Sequence, residues 1–367
     1  MTEGAATGGT VPKRGTLKVF LGYAAGVGKT YQMLTEAQEL KLQGVDVVIG
    51  YFEPHGRAET IAQTAGLEFV PRKIIEHRGT KFEEMDTDAV ITRHPQVAAV
   101  DEFAHTNVPG SARLKRWQDV MAILDAGIDV LTSLNIQHIE SLNDQVWHVT
   151  GVRVRETVPD WVVQEADEVV MVDVTPRALL HRLERGVVYS PEKAQRALEN
   201  FFTESNLTAL RELALRQTAH QLEERREELR LPQPVRALGS NNRQEAIVIW
   251  LTPHPSTAML IRRGRRVADY LDSSCTALFV AKDEAMSELS AEDRAAVDRH
   301  LNFCRNMRIQ PEIIESPDPA KAVAAWAREH GITQIFATRD APDVQKLVQL
   351  ARDRQVTIVA ERVRHAV

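Results

Sequence analysis

Two kinds of block alternate along this chain: short runs rich in valine, isoleucine and leucine, and longer stretches whose apolar positions recur every three to four residues. The short runs read as strands and the long ones as helices. Residues 17–21 make a strand-length run that enters a glycine-bearing loop, and 30–43 read as a helix that Gly44 stops. Residues 46–50 are predicted extended, 57–64 helical, and 89–91 and 96–100 extended, the last ending on Asp101-Glu102. Next come a helix over 114–126 closed by Gly127, a strand over 129–133, a helix over 139–149 and a strand over 168–174. Strands separated by helices require right-handed crossovers. The pattern therefore predicts the α/β class, a mostly parallel sheet with helices on both faces.

Pro191 opens a long charged tract in which Ala194, Ala197, Leu198, Phe201 and Phe202 keep helical spacing, and after a break at Ser205-Asn206 it resumes over 207–229. The mixed acids and bases near its end read as a solvated helix face, with a coiled-coil or partner-docking helix as the alternative. Pro232, Pro234, Gly239 and Ser240 mark a linker. A second α/β cycle comes after it, with strands predicted over 246–251, 276–280, 312–314, 334–337 and 357–359 and helices over 256–271, 290–307, 321–330 and 344–353. The expected organisation is a disordered leader over 1–15, a first domain over 16–230 with a helical extension at about 191–230, a linker over 231–243 and a second domain over 244–367.

At 367 residues, 43% hydrophobic and 26% charged, the chain has room for two or three globular domains. A formal net charge of −6 gives no general drive toward nucleic acid, and none is expected as a partner. Cys275 and Cys304 have neither metal-ligand spacing nor disulfide density, which fits a reducing cytosol. The first residues lack the apolar core of a secretory signal, and no stretch approaches the ~20 apolar residues that cross a bilayer. The expected location is cytoplasmic, with peripheral attachment to the inner face of the membrane left open.

The loop after the first strand, Gly22-Tyr-Ala-Ala-Gly26-Val-Gly28-Lys29-Thr30, carries the ingredients of a Walker A P-loop in the strand–loop–helix context such a motif needs. Small residues let consecutive backbone N–H groups curl around phosphate oxygens, and the helix N-terminus adds its dipole and unpaired donors. Gly26, Val27, Gly28, Lys29, Thr30 and Tyr31 are the candidate ATP contacts, with Lys29 for the β/γ oxygens and the Thr30 hydroxyl for Mg²⁺. One departure stands out: Tyr23 occupies the usual first-glycine position, and Gly22 comes one residue early. Residues 96–100 supply a Walker B strand, with Asp101 expected to hold Mg²⁺ and Glu102 to serve as the catalytic base toward water. The plainer alternatives are a glycine-rich βα turn and an acidic pair that caps the next helix. Polar clusters come after other predicted strands: Glu53, His55 and Arg57; His105 and Asn107; and Asn135, His138 and Glu140. They are candidates for a switch segment or an adjacent ligand, and the three histidines lack zinc spacing.

Gly26-Val-Gly-Lys-Thr30, Glu53-x-His55-Gly-Arg57, Val100-Asp-Glu-Phe-Ala-His-Thr-Asn107, Leu134-Asn-Ile-Gln-His138 and Gly151-Val-Arg-Val-Arg-Glu-Thr-Val-Pro159 together resemble the cytoplasmic N-terminal domain of the KdpD family, the osmosensitive potassium-channel sensor histidine kinases. The likeness runs over residues 17–222, and the second domain resembles the universal-stress-protein module that comes next in that family. The resemblance implies a P-loop NTPase-like ATP-binding input module for potassium and osmotic homeostasis. Mg-ATP would act as a conformational switch with at most slow hydrolysis. Implied partners are a histidine kinase or response regulator and potassium-transport subunits, with homodimerisation left open. Membrane helices, a phosphoacceptor helix and a kinase ATP lid are absent from the sequence. The chain is therefore expected to be either free-standing or the input half of a longer sensor, with no histidine-kinase domain of its own.

In the second domain, residues 337–342 lack the glycines that admit phosphates in nucleotide-binding stress proteins, so no second ATP site is expected. Some relatives bind cyclic di-AMP through this module, and the matching positions here are Thr252, His254, Thr276 and Phe279. The alternatives from other classes are a P-loop small-molecule kinase or adenosyltransferase and a non-hydrolysing scaffold for a sensor kinase.

Overall fold

The apolar runs become two parallel sheets in the computed structural model, which describes residues 13–185, 201–229, 245–271, 273–282, 286 and 289–360. They belong to separate units, Met1–Leu229 and Arg230–Val367. In the first, strands β1 (Leu17–Gly22), β2 (Val47–Tyr51), β3 (Glu68–Phe69), β6 (Val97–Val100), β7 (Asp129–Asn135) and β8 (Glu168–Val172) form a six-stranded sheet. Its order is β3-β2-β6-β7-β1-β8, and every neighbouring pair is parallel. Strands β2 and β6 are buried along their whole length, as continuous apolar runs covered on both faces must be. Strands β4 (Lys73–His77) and β5 (Thr80–Glu84) form a separate antiparallel hairpin that the sequence reading did not anticipate.

The helices of this unit are α1 (Lys29–Leu42), α2 (Ala58–Ala62), α3 (Thr87–Arg93), α4 (Arg116–Asp125), α5 (Asn143–Thr150), α6 (Asp160–Gln164), α7 (Pro176–Glu184) and α8 (Glu204–Leu229). Two expectations are corrected. Residues 89–91, read as a strand, lie in α3, because Asp86 caps that helix by accepting the Ala89 N–H at 3.1 Å. The helix expected over 139–149 is preceded by 3₁₀ turns at Ile136–His138 and Glu140–Leu142 and becomes α-helical only in α5. Tertiary bonds hold those turns: Glu140 N–H donates to Val158 O at 3.0 Å, and the Ser141 N–H and hydroxyl both donate to Asp160. Residues 1–12 of the expected leader, 191–200 of the charged tract and the 231–243 linker lie outside the described residues.

The second unit has strands β9 (Ala246–Leu251), β10 (Ser274–Ala281), β11 (Gln310–Glu315), β12 (Gln334–Thr338) and β13 (Gln355–Val359) in the order β11-β10-β9-β12-β13, all parallel. Helices α9 (Thr257–Tyr270) and α10 (Ala291–Asn306) cover one face, where Ile247, Ile249 and Phe279 point. Helices α11 (Pro319–Glu329) and α12 (Val344–Leu350) cover the other, over Val248, Trp250 and Leu278. Successive side chains of one strand thus feed two cores, as a strand's two-residue period requires. Both units are of the α/β class. No helix among the described residues is long and apolar enough to cross a membrane.

Candidate functional site

Parallel strands deliver their downstream loops to one edge of the sheet. Gly22 at the end of β1 pairs with Asn135 of β7, and Val100 of β6 pairs with Thr132. The loops after β1, β6 and β7 therefore meet at the carboxyl edge, where open α/β sheets bind ligands. Gly26 (φ 90°) and Gly28 (φ 110°) hold backbone that side-chain-bearing residues rarely adopt. Helix α1 then begins without a side-chain cap. Ala25-Gly26 form a turn, and among the described residues the N–H groups of residues 28–31 at the start of α1 meet no acceptor. The first bond belongs to Gln32, whose N–H reaches Gly28 O at 3.0 Å.

The displaced glycine has a steric reason. A Cβ on Gly22 would lie 2.6 Å from Val27 Cγ2 and 2.8 Å from Lys29 Cδ, so the strand end passes directly against its own loop. Tyr23, at the usual first-glycine position, is fully buried, and its hydroxyl donates to Val174 O at 3.0 Å. The ring thus ties the loop to the segment after β8.

Lys29 is buried, with Nζ donating to Asn135 Oδ1 at 2.5 Å and to Ala24 O at 3.3 Å. Burial brings its pKa down to about 8 against the opposing pull of Glu102 and Asp101. Asp101 is 1% exposed, and its Oδ1 accepts from Ser133 (2.5 Å) and Thr30 (3.2 Å) hydroxyls. Its Oδ2 is buried and has no partner. Burial and the neighbouring charge of Glu102 push the Asp101 carboxyl upward against the opposing pull of the Ser133 hydrogen bond and Lys29. Glu102 sits in left-handed backbone (φ 58°) and faces His55 Nε2 at 3.1 Å. That hydrogen bond holds Glu102 well below the usual carboxylate range and raises His55. Burial lowers His138, whose Nδ1 lies 2.8 Å from Glu156 O.

Among the described residues no cluster of three or more His, Cys, Asp or Glu could hold a metal ion. The edge offers a divalent ion one carboxylate and one hydroxyl, a sparse set suited to an ion that keeps waters and takes phosphate oxygens.

The candidate residues divide between two places. Lys29, Thr30, Asp101, Glu102, His55 and Asn135 converge, and Arg57 lies within electrostatic reach of Lys29 with a buried, unpartnered Nε. Tyr31 is 43% exposed on α1 and accepts from Gln63 at 3.4 Å. Glu53 instead accepts from the Tyr51 hydroxyl at 3.1 Å, and Glu140 is buried in its turn.

His105 and Asn107 turn away from the loop. His105 Nε2 is 3.0 Å from Glu84 on the hairpin, and Asn107 Nδ2 donates to Asp119 of α4 at 2.6 Å. Beneath them Arg116 is fully buried, paired with Glu84 at 2.9 Å, donating to Asp101 O at 3.3 Å and lying 3.7 Å from the Tyr51 ring centroid. Ser133, Glu84 and Arg182, whose Nη1 donates to Gly26 O and Val27 O at 3.3 Å each, escaped the sequence reading. Only Ser133 left a signal there, as one of the polar residues, with Asp129, Thr132 and Asn135, that interrupt the apolar run of β7.

In the second unit Thr252 and His254 come directly after β9. The Thr252 hydroxyl is 2.9 Å from that of Thr257, and His254 Nδ1 is 2.7 Å from the Ser256 hydroxyl. Phe279 pairs beside Leu251 and is buried in the core under α9 and α10. Thr276 lies three residues earlier on β10, level with Val248. Strand alternation directs Thr276 and Phe279 to opposite faces, so the four positions do not line one surface.

The family model for KdpD, the osmosensitive K+ channel His kinase sensor domain, matches residues 13–222. A Synechocystis protein named as a KdpD sensor is 46% identical over 328 residues, 88% of this chain and 85% of its own. The Escherichia coli sensor protein KdpD is 42% identical over 95% of this chain, and that of Mycobacterium tuberculosis 41% over 88%. Those matches span only 40% and 37% of the two relatives' own lengths. Among solved structures, a universal stress protein family member from Burkholderia pseudomallei aligns over 33% of this chain and 98% of its own, with 17% identity and a TM-score of 0.27.

Proposed function

The chain belongs to the KdpD family of osmosensitive K+ channel His kinase sensor domains, and on that footing we propose that its first unit binds ATP with Mg²⁺ as the input module of a two-component system for potassium and osmotic homeostasis. One observation carries this reading. Asp101 Oδ2 is buried without a partner, beside the Thr30 hydroxyl at the start of α1, where the N–H groups are unpaired. A buried carboxylate oxygen left bare is costly unless a cation completes it.

Thr30 and Asp101 would hold the ion, which when bound neutralises charge on the terminal phosphate oxygens. The N–H groups of residues 28–31 would face those oxygens. Lys29 would exchange Asn135 for phosphate, an exchange favoured because its ammonium is poorly compensated in the dry site. Asn135, thus released, sits directly before the 3₁₀ turns at 136–142. Arg116 meanwhile joins the Asp101 carbonyl to Glu84 of the hairpin. Both are routes by which occupancy would change surface elements, the differential contact a nucleotide switch needs. A histidine kinase or response regulator, with potassium-transport subunits, would read that change.

The test compares thermal stability of the whole chain with and without Mg-ATP, in wild type and Lys29→Ala. At one hundred times Kd the ligand adds about 2.7 kcal/mol to the state that binds it. Wild type should gain that stability and Lys29→Ala should not. Equal behaviour of the two proteins would end the reading. A second reading, phosphoryl or adenosyl transfer to a small acceptor, draws support from the buried and unpartnered Arg57 Nε and Gln137 Oε1. ATP consumption that depends on an added acceptor would favour it.

A further inference from the structure

Strands β2 and β6 are neighbours in the sheet, with Tyr51 paired to Val100, so the loops downstream of them leave the edge side by side. One residue on each loop is held in left-handed backbone without being glycine: His55 at φ 45° and Glu102 at φ 58°. Their side chains meet at 3.1 Å. The backbone on both sides is fixed. Asp101 N–H donates to Tyr51 O (2.9 Å), Phe103 N–H to Ser133 O (3.2 Å) and His105 N–H to Glu102 O (2.9 Å). On the other loop Arg57 N–H closes a turn onto Pro54 O at 3.0 Å. What remains free to move is the side-chain pair itself. Each member is 45% exposed, so the contact can open without unpacking the core. Strained backbone at both ends of a polar contact is the signature of a positioned functional group rather than of a stability device.

We propose that His55 is a positioning residue that holds Glu102 away from water attack, so that the site retains nucleotide instead of hydrolysing it quickly. This role rests on the nucleotide reading above and deepens it. In hydrolysis the water oxygen bonds to the terminal phosphorus while the bond to the bridging oxygen breaks, its electron pair leaving with the diphosphate. The water proton passes to the Glu102 carboxylate. A carboxylate oxygen already engaged by an imidazole is a poorer acceptor. Lys29 from α1, His138 after β7 and the adjacent Asp101 are the other charged or titratable groups around Glu102. Arg57 stands on the His55 side. The terminal phosphate would therefore enter on the Lys29 side of Glu102, leaving the contact with His55 in place.

The experiment uses the whole chain. His55→Gly removes the imidazole while accepting φ 45° without strain, and His55→Gln keeps a neutral N–H donor. An exposed pair of this kind is worth a factor of about two to five. Phosphate release at saturating Mg-ATP should rise by that factor in His55→Gly and fall back toward wild type in His55→Gln. A second arm reads the ring of ¹⁵N-labelled His55 directly. Its signals should keep their nucleotide-free position when Mg²⁺ and a non-hydrolysable ATP analogue are added, and should stay away from the position they take in Glu102→Gln. Unchanged or slower release in a His55→Gly protein that binds Mg-ATP overturns the proposal and leaves the nucleotide site standing. Ring signals indifferent to Glu102→Gln overturn it as well, and this arm decides alone if His55→Gly does not fold. A wild-type chain that fails to bind Mg-ATP removes the nucleotide reading and the latch together.

Discussion

Gly22→Ala probes whether the loop is built around its early glycine. The added Cβ would stand 2.6 Å from Val27 Cγ2 and 2.8 and 2.9 Å from Lys29 Cδ and Cγ. Carbon atoms in contact prefer about 3.5–4.0 Å, so both neighbours must retreat by ~1 Å. Val27 and Lys29 are 2% and 8% exposed, and neither has open space to move into. Overpacking of this kind costs about 1–3 kcal/mol. At about 2–4 °C per kcal/mol for a unit of this size, the melting transition of the first unit should fall by roughly 2–12 °C. Displacing the Lys29 stem also carries Nζ off its line toward Asn135, so the Mg-ATP stabilisation should shrink in the same protein. Gly44→Ala is the control: its φ of 86° strains any L-residue, but nothing lies within 4 Å of the new Cβ. It should lower the melting temperature and leave the Mg-ATP increment intact. Scanning calorimetry of the whole chain with and without nucleotide reads both quantities. A Gly22→Ala protein that melts with wild type and keeps its full nucleotide increment would refute the steric account of the loop.

Arg116→Met strips Glu84 of a fully buried partner, and such a loss costs about 3–5 kcal/mol, to be read from the urea midpoint. Burial alone would raise Glu84, yet the bonds from His105 and the Val108 N–H and the Arg116 charge bring it below the usual carboxylate range. Its contribution is therefore complete above the unfolded value near 4.5 and is lost as pH falls through the lower folded value, so Glu84→Gln should flatten the acid limb of the stability curve. Lys29 titrates near 8 in the ligand-free site, and bound phosphate must raise that value. Binding measured by calorimetry in buffers of different ionisation heat should show proton uptake above pH 8 and weaken as pH rises further; pH-independent binding between 7 and 9.5 would contradict the buried, poorly compensated ammonium.

Much of the edge around β1 and α1 is legible in the chain because its parts are local. An apolar run, small residues with two positive-φ glycines and a helix start lie within fifteen residues of one another, and pattern and spacing mark all three. Short elements were harder. Residues 89–91 are as apolar as a strand, and only the Asp86 cap makes them helix. Helix α7 carried a readable start in Thr175-Pro176, where the threonine hydroxyl accepts the Ala178 N–H at 3.3 Å, and nothing in its apolar spacing drew notice to it.

The harder failure concerns direction. His105 and Asn107 come so soon after Asp101 that chain distance alone assigns them to the same site. The left-handed turn at Glu102 reverses the path there, and His105 N–H closes it onto Glu102 O. Beyond that turn the side chains face Glu84 and Asp119, while Glu102 faces His55. A glutamate in left-handed backbone has no sequence signature, since the residue type argues against the conformation. What compels it is the set of bonds from β2 and β7, elements about fifty residues before and thirty after. The loop after β6 is thus one segment serving two clusters. Asp101 belongs to both, through its carboxylate to Thr30 and Ser133 and through its carbonyl to Arg116. Any change of charge at that carboxylate must be felt at the buried arginine, so under the proposed nucleotide reading Asp101 is the point where occupancy and the hairpin would be joined.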